Sequence, residues 1–255
     1  MTTTDYNGGV FDLGRVMQKT FEAISRNWVV FLGAAVLLVG IPSLISGYGQ
    51  ITNTINEPFA GLAFVSIGGI LSVVGTYVLQ GMVVFAAVNG FNGKSVDLGS
   101  ALSVGLRFFF PLFGLAILMA LGLGLGFLLL IVPGVILAVI WVVASPALVV
   151  ENRGILESFQ RSRDLTRGNR WRIFALLVVY LVLSWMISWI VMAVGVAAGG
   201  NFATASTFWG VAMVLSPLVN ILTGVVSSAG VAAVYYELRR TKEGVSPDQL
   251  ASVFD

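Results

Sequence analysis

Long uncharged runs alternate with short charged segments along this chain. Six runs contain no Asp, Glu, Lys or Arg: residues 28–46, 60–88, 108–131, 134–150, 173–198 and 208–236. A bilayer core takes roughly 20 apolar residues per helix, so each run predicts a transmembrane helix. Strands of a membrane barrel would alternate polar and apolar over about ten residues, and these runs do not. The expected fold is all-α, a polytopic membrane protein with six transmembrane helices.

The segments between the runs have helical period. In residues 11–27, Asp12 is placed to cap a helix, and Leu13, Val16, Met17, Phe21, Ile24 and Trp28 form one stripe. Arg15, Lys19, Glu22 and Arg26 lie off it. This predicts an amphipathic helix at the headgroup interface that turns into the first span at Trp28. The pattern returns 85 residues on, where Val96-Asp97-Leu98-Gly99 echoes Phe11-Asp12-Leu13-Gly14 and Leu98, Ala101, Leu102, Leu106 and Phe109 continue the stripe. A looser copy occupies residues 154–171, with Ile155, Leu156 and Phe159 on one face and Glu157 able to meet Arg161 at i,i+4. Each copy leads into two spans. The expected organisation is one membrane domain, 11–240, built from three repeats of helix plus hairpin (about 11–91, 96–151 and 153–240). A mobile N-terminus (1–10) and a tail (241–255) flank it. The joint between spans three and four is expected at Val132-Pro133-Gly134, and Pro42, Pro146 and Pro217 are expected to mark kinks whose freed carbonyls neighbours satisfy.

Charge fixes the threading. All 14 Lys and Arg fall on one side of that hairpin arrangement, with six arginines between spans four and five, and only Glu57 falls on the other. By the positive-inside rule both termini and all three amphipathic segments are cytoplasmic. The N-terminus has no basic segment or short apolar core of a cleaved signal, so the first span is expected to stay in the membrane; the expected location is a bacterial inner membrane. Composition agrees: 57% hydrophobic and 10% charged, against about 25% charged in soluble domains.

The chain has neither cysteine nor histidine. That removes thiol chemistry, the commonest zinc ligands and histidine acid–base pairs, so no cofactor, metal or catalytic set is expected. Within the spans the main polar candidates are Gln80 and Asn220, with Thr76, Ser184 and Ser188. They read either as hydrogen bonds between helices or as the lining of a solute path. Gly122, Gly124 and Gly126 lack the full spacing of a nucleotide loop, and Gly122 with Gly126 predicts a close helix contact. The arginine-rich loop has three open readings: a topology signal alone, contact with anionic lipid headgroups through Arg167, Arg170, Trp171 and Arg172, or recognition of a phosphorylated ligand or protein partner. Nucleic acid is not expected at a net charge of +2 with no recognition module. Where spans end, Glu151 and Glu237 would be costly if unpaired. An ion-pair cluster of Glu151, Glu157, Arg161, Arg163 and Glu237 is therefore expected, with Arg163 reaching Glu151 or Glu237 and Arg161 meeting Glu157.

Pro133-Gly134, Pro146, Glu151, Gly154, Arg161-Ser162, Leu165, Gly168 and Trp171, with the later Tyr235-Tyr236-Glu237-Leu238-Arg239, form a pattern over about residues 96–245. It resembles the glycerophosphoryl diester phosphodiesterase membrane-domain family and the related YciC-like bacterial integral membrane proteins. The resemblance implies a membrane module, here without the soluble catalytic domain some members carry. The functional expectation is a non-enzymatic inner-membrane module acting through its basic face on anionic lipid or a protein partner. The alternative is a transporter or lipid-translocating protein. A lipid enzyme would need Glu151, Asp164 or Glu237 to work without histidine.

Overall fold

The computed structural model describes residues 11–55, 58–197 and 205–244; Glu57, residues 1–10, the 199–201 loop and residues 245–255 of the tail lie outside them. Among the described residues the chain is helical without strands, and six stretches are long and apolar enough to cross a membrane. The chain has the make-up of a multi-pass membrane protein.

Helix α1 (Leu13–Arg26) begins where the Asp12 carboxylate accepts hydrogen bonds from the Gly14 and Arg15 amides at 2.8 and 3.4 Å, satisfying donors that a helix start leaves free. The first span follows as α2 (Trp28–Ala35), a π-helical turn (Val36–Gly40) and α3 (Ile41–Ile55). The second is the unbroken α4 (Pro58–Phe91). The third, α5 (Leu98–Leu129), is capped by Asp97, which accepts from the Ser100 amide at 3.0 Å. The second interfacial segment is thus continuous with its span and forms no separate helix, unlike residues 13–26; nothing at 109–112 breaks the ladder except Pro111, which sits inside α5.

The joint between spans three and four lies at Leu130, in extended conformation, two residues before the expected turn. Pro133 instead occupies the first turn of α6 (Ile131–Trp141), where its missing N–H costs nothing. The fourth span then breaks, resuming as α7 (Ala144–Glu151). Pro146 explains the break: a ring there would collide with the carbonyl four residues back, and residues 142–143 leave the helix. Helix α8 (Ile155–Thr166) repairs it. The fully buried Ser162 donates to the Ile140 carbonyl at 2.7 Å and accepts from the Val143 amide at 3.3 Å. After α8 the chain turns at Gly168, whose φ of +90° suits glycine, into α9 (Arg170–Ala197) and finally α10 (Ala205–Glu243), which runs on past Pro217.

Pro42 acts similarly in the first span. It frees the Leu38 carbonyl, the π-helical turn takes up the extra residue, and α4 closes on the freed oxygen so tightly that a Cβ on Gly75 would lie 1.7 Å from it. Cβ atoms built at Gly68 and Gly49 would likewise meet the Ser46 and Val65 backbone nitrogens at 2.5 and 2.6 Å. The α3–α4 seam is therefore backbone on backbone, the close approach small residues permit in membranes. A Cβ built at Gly126 would lie 3.0 Å from the Gly134 Cα, and one at Gly122 would lie 2.4 Å from the Trp141 ring, so the GLGLG stretch packs α5 on α6. The dry core lies toward the basic end, where Ala86 and Ala87 of α4, Ala144 and Ala147 of α7, and Ala229, Ala232 and Ala233 of α10 are all buried. By contrast α9 keeps Trp185, Trp189 and Ile190 exposed, as a lipid-facing helix would.

Candidate functional site

Two features stand out: a polar network at the basic end and a cleft midway along the bundle. At the basic end Glu151 closes α7 with only 11% of its side chain exposed. Its Oε1 accepts from Arg161 Nε and from the Tyr235 hydroxyl, both at 2.8 Å, and its Oε2 pairs with Arg153. Arg161 continues to Glu243, whose other oxygen takes Arg239 Nε at 2.8 Å. Arg239 in turn reaches back to the Tyr235 hydroxyl at 3.4 Å. The ring Tyr235–Glu151–Arg161–Glu243–Arg239 thus ties α7, α8 and α10 together. Burial alone would lower the Arg161 pKa, yet its hydrogen bonds to Glu151 and Glu243 hold the guanidinium above its ordinary value, so it stays charged at any physiological pH.

Glu237 sits apart from that ring. It is 3% exposed, pairs with Arg15 at 2.8 Å and accepts the Asp12 amide at 3.3 Å, which fastens α1 to α10. Other arginines at this end clamp backbone: Arg26 donates to the Gly90 and Gly93 carbonyls at 3.1 and 3.3 Å, where the end of α4 leaves acceptors unfilled. Arg172 donates to the Phe11 carbonyl at 3.0 Å.

Several expected contacts are therefore corrected. Arg161, not Arg163, reaches Glu151, and Glu157 binds neither; its carboxylate accepts the Gly154 amide at 3.4 Å as the far half of a capping box. Arg163 is exposed, and among the described carboxylates none pairs with it. The reason lies in the buried face of α8, which is Ser158, Ser162, Leu165 and Thr166 rather than the apolar residues expected to set it. Ile155 and Phe159 still pack on the core, but Leu156 points away, 75% exposed. Arg161 precedes Ser162 and falls on the α7 side, while Arg163 falls outside. Reading hydrophobic periodicity alone missed this because Ser158 and Thr166 satisfy their hydroxyls on their own helix, at the Gly154 and Arg163 carbonyls, and so bury like small apolar groups.

Of the remaining arginines, Arg163 and Arg167 are exposed, as is Trp171 at 84%. Arg170 is half-buried, with its Nε lacking a partner. On α1, Leu13, Met17 and Phe21 are exposed at the same end, while Val16 and Ala23 face inward.

The cleft lies among α3, α4, α9 and α10 and has a volume of about 620 Å³. Its wall has Ser43, Ser46 and Gln50 from α3, and Ser72 and Thr76 from α4. Tyr180 comes from α9, and Asn220, Thr223, Ser227 and Ser228 from α10. Among the described residues no Asp, Glu, Lys or Arg lines it. Asn220 thus belongs to a cleft, whereas Gln80 donates to Ser145 Oγ at 3.2 Å and joins α4 to α7. The other lining residues were missed singly, yet their signal was present: positions 43, 46 and 50, 72 and 76, and 220, 223 and 227 each repeat a small polar group at helical spacing. Leu79 and Val39 bound the cleft on the core side, and Val78, Met82 and Val83 are buried beyond them.

A family profile described as "Domain of unknown function (DUF7847)" matches residues 62–238. The chain belongs to the DUF7847 family. The match takes in α4 through Leu238 of α10, and with them Glu151, Arg161, Tyr235 and Glu237. No curated protein and no solved structure matches the chain.

Proposed function

We propose that this protein is a non-enzymatic module of the bacterial inner membrane, with both termini cytoplasmic, that engages anionic lipid headgroups, or a partner protein, through its basic face. One observation carries the reading: Arg163 and Arg167 are exposed with no carboxylate partner among the described residues, and Trp171 and the α1 side chains Leu13, Met17 and Phe21 are also exposed. Arginines committed to the fold bind Glu151, Glu237, Glu243 or backbone carbonyls. These two do not, and a guanidinium near an anionic leaflet gains about 1 kcal/mol. The reading uses no cofactor and no nucleic acid. The three-repeat organisation and the resemblance to the glycerophosphoryl diester phosphodiesterase membrane-domain family belong to the same proposal, supported by matching Asp caps at α1 and α5.

The test is lipid retention. Purified in mild detergent and weighed by native mass spectrometry, the protein should carry phosphatidylglycerol in preference to phosphatidylcholine. Arg163→Gln with Arg167→Gln should reduce that preference severalfold without lowering thermal stability. Retention equal to the parent's would reduce these arginines to topology signals. A second reading, a transporter or lipid-translocating protein, is favoured by the uncharged polar cleft.

A further inference from the structure

We propose that the cleft among α3, α4, α9 and α10 binds a neutral, hydroxyl-rich group, a sugar or other polyol, carried as a lipid headgroup or free in solution. This rests on the cleft's own chemistry and not on the basic face. At about 620 Å³ the cleft falls within the range of small-molecule sites. An acyl chain filling it would leave the Asn220 amide and several hydroxyls without partners, at about 1–3 kcal/mol for each buried group. A charged ligand would have to shed water against a wall whose described residues offer no opposite charge. What fits is an uncharged group dense in hydrogen bonds. The wall also has a bias: the Thr76 and Thr223 hydroxyls already donate to the Ser72 and Val219 carbonyls, both at 2.7 Å, so they turn lone pairs toward the cleft. Ligand hydroxyls can donate to those oxygens, while the Asn220 amide can both donate and accept.

Depth and access follow from helix geometry. At 1.5 Å per residue, Leu79 lies roughly 18 Å along α4 from its basic end at Phe91, and Gly69 roughly 33 Å. The 34-residue α4 is about 50 Å long, so the cleft sits near its mid-length, set back from the arginine-bearing end. Helix α9 packs against α10 and α6, and among the described residues it has no comparable seam against α3 or α4, so the gap beside Tyr180 is a side entrance a lipid could use.

Gly69 supplies a clean variant, because a Cβ there meets nothing within 4 Å. Gly69→Leu fills the space and favours the helix; Asn220→Leu removes the amide. In nanodiscs containing diglucosyl diacylglycerol, the parent should retain that lipid over plain diacylglycerol by about tenfold, the effect of one or two hydrogen bonds. Both variants should lose this preference while melting like the parent in discs without the glycolipid. A parallel arm measures protection by free trehalose: protection by trehalose without glycolipid retention assigns the site to a soluble polyol, and the reverse assigns it to a lipid. Binding of neither, or glycolipid retention unchanged in Gly69→Leu, would overturn the proposal. If Asn220→Leu does not fold, Gly69→Leu alone decides. Failure here leaves the phosphatidylglycerol result at Arg163 and Arg167 untouched.

Discussion

Glu151 does more at the basic end than any other side chain, because one carboxylate serves Arg153, Arg161 and the Tyr235 hydroxyl. Glu151→Gln removes the charge two guanidiniums rely on and leaves the buried Tyr235 with a weaker acceptor. Discounted for partial exposure, the loss should be about 2–3 kcal/mol. Arg163→Gln, at an exposed position, should change stability by less than about 0.5 kcal/mol. Thermal unfolding of both variants in the same detergent checks the contrast, and equal melting would refute the assignment of Arg161 as the partner. Ser162 offers a second case. Ser162→Ala leaves the Ile140 carbonyl and Val143 amide buried without a partner, which should cost about 1–3 kcal/mol, while Ser103→Ala, exposed on α5, should cost little. The sequence made Glu151 conspicuous as a charge at the end of an apolar run, but not Ser162, since a serine in an amphipathic segment reads as surface until a broken helix is placed against it.

At the scale of elements, caps and prolines were legible and their consequences were not. Asp12 and Asp97 stand where α1 and α5 begin, as their spacing before apolar stripes indicated. The Asp97 carboxyl is held below its ordinary value by hydrogen bonds from Ser100. A lowered value means the cap is complete above the usual carboxylate range and is lost as pH falls through the folded value. Amide exchange at Gly99 to Ala101 should therefore quicken relative to mid-helix α5 on strong acidification, and unchanged relative exchange would show that the cap does not hold the helix start. Pro42 and Pro146 were visible as interruptions, yet only packing reveals the different remedies, a π-helical turn against Gly75 in one span and Ser162 of α8 in the other. Gly75→Ala would place a methyl into the Leu38 carbonyl and push α3 from α4. The expected result is loss of the folded form or a fall in melting temperature well beyond that of Gly33→Ala, whose Cβ would meet nothing. Equal melting of the two would mean the seam is not as close as described.

For the molecule as a whole, the count and approximate limits of the six long apolar helices followed from uncharged length alone, because hydrocarbon excludes charge and requires every backbone group to be satisfied within the span. The cleft did not follow, since its polar groups are spread over four helices and each alone resembles ordinary hydrogen-bonding within a membrane bundle. Orientation is the claim on which the lipid-facing account depends: the arginine-bearing end must face the cytoplasm. The chain has no cysteine, so single cysteines can report it. In intact cells an impermeant thiol reagent added outside should label Glu57→Cys and leave Arg163→Cys and Arg167→Cys unlabelled until the membrane is opened. Labelling of Arg163→Cys in sealed cells, with Glu57→Cys protected, would contradict the account.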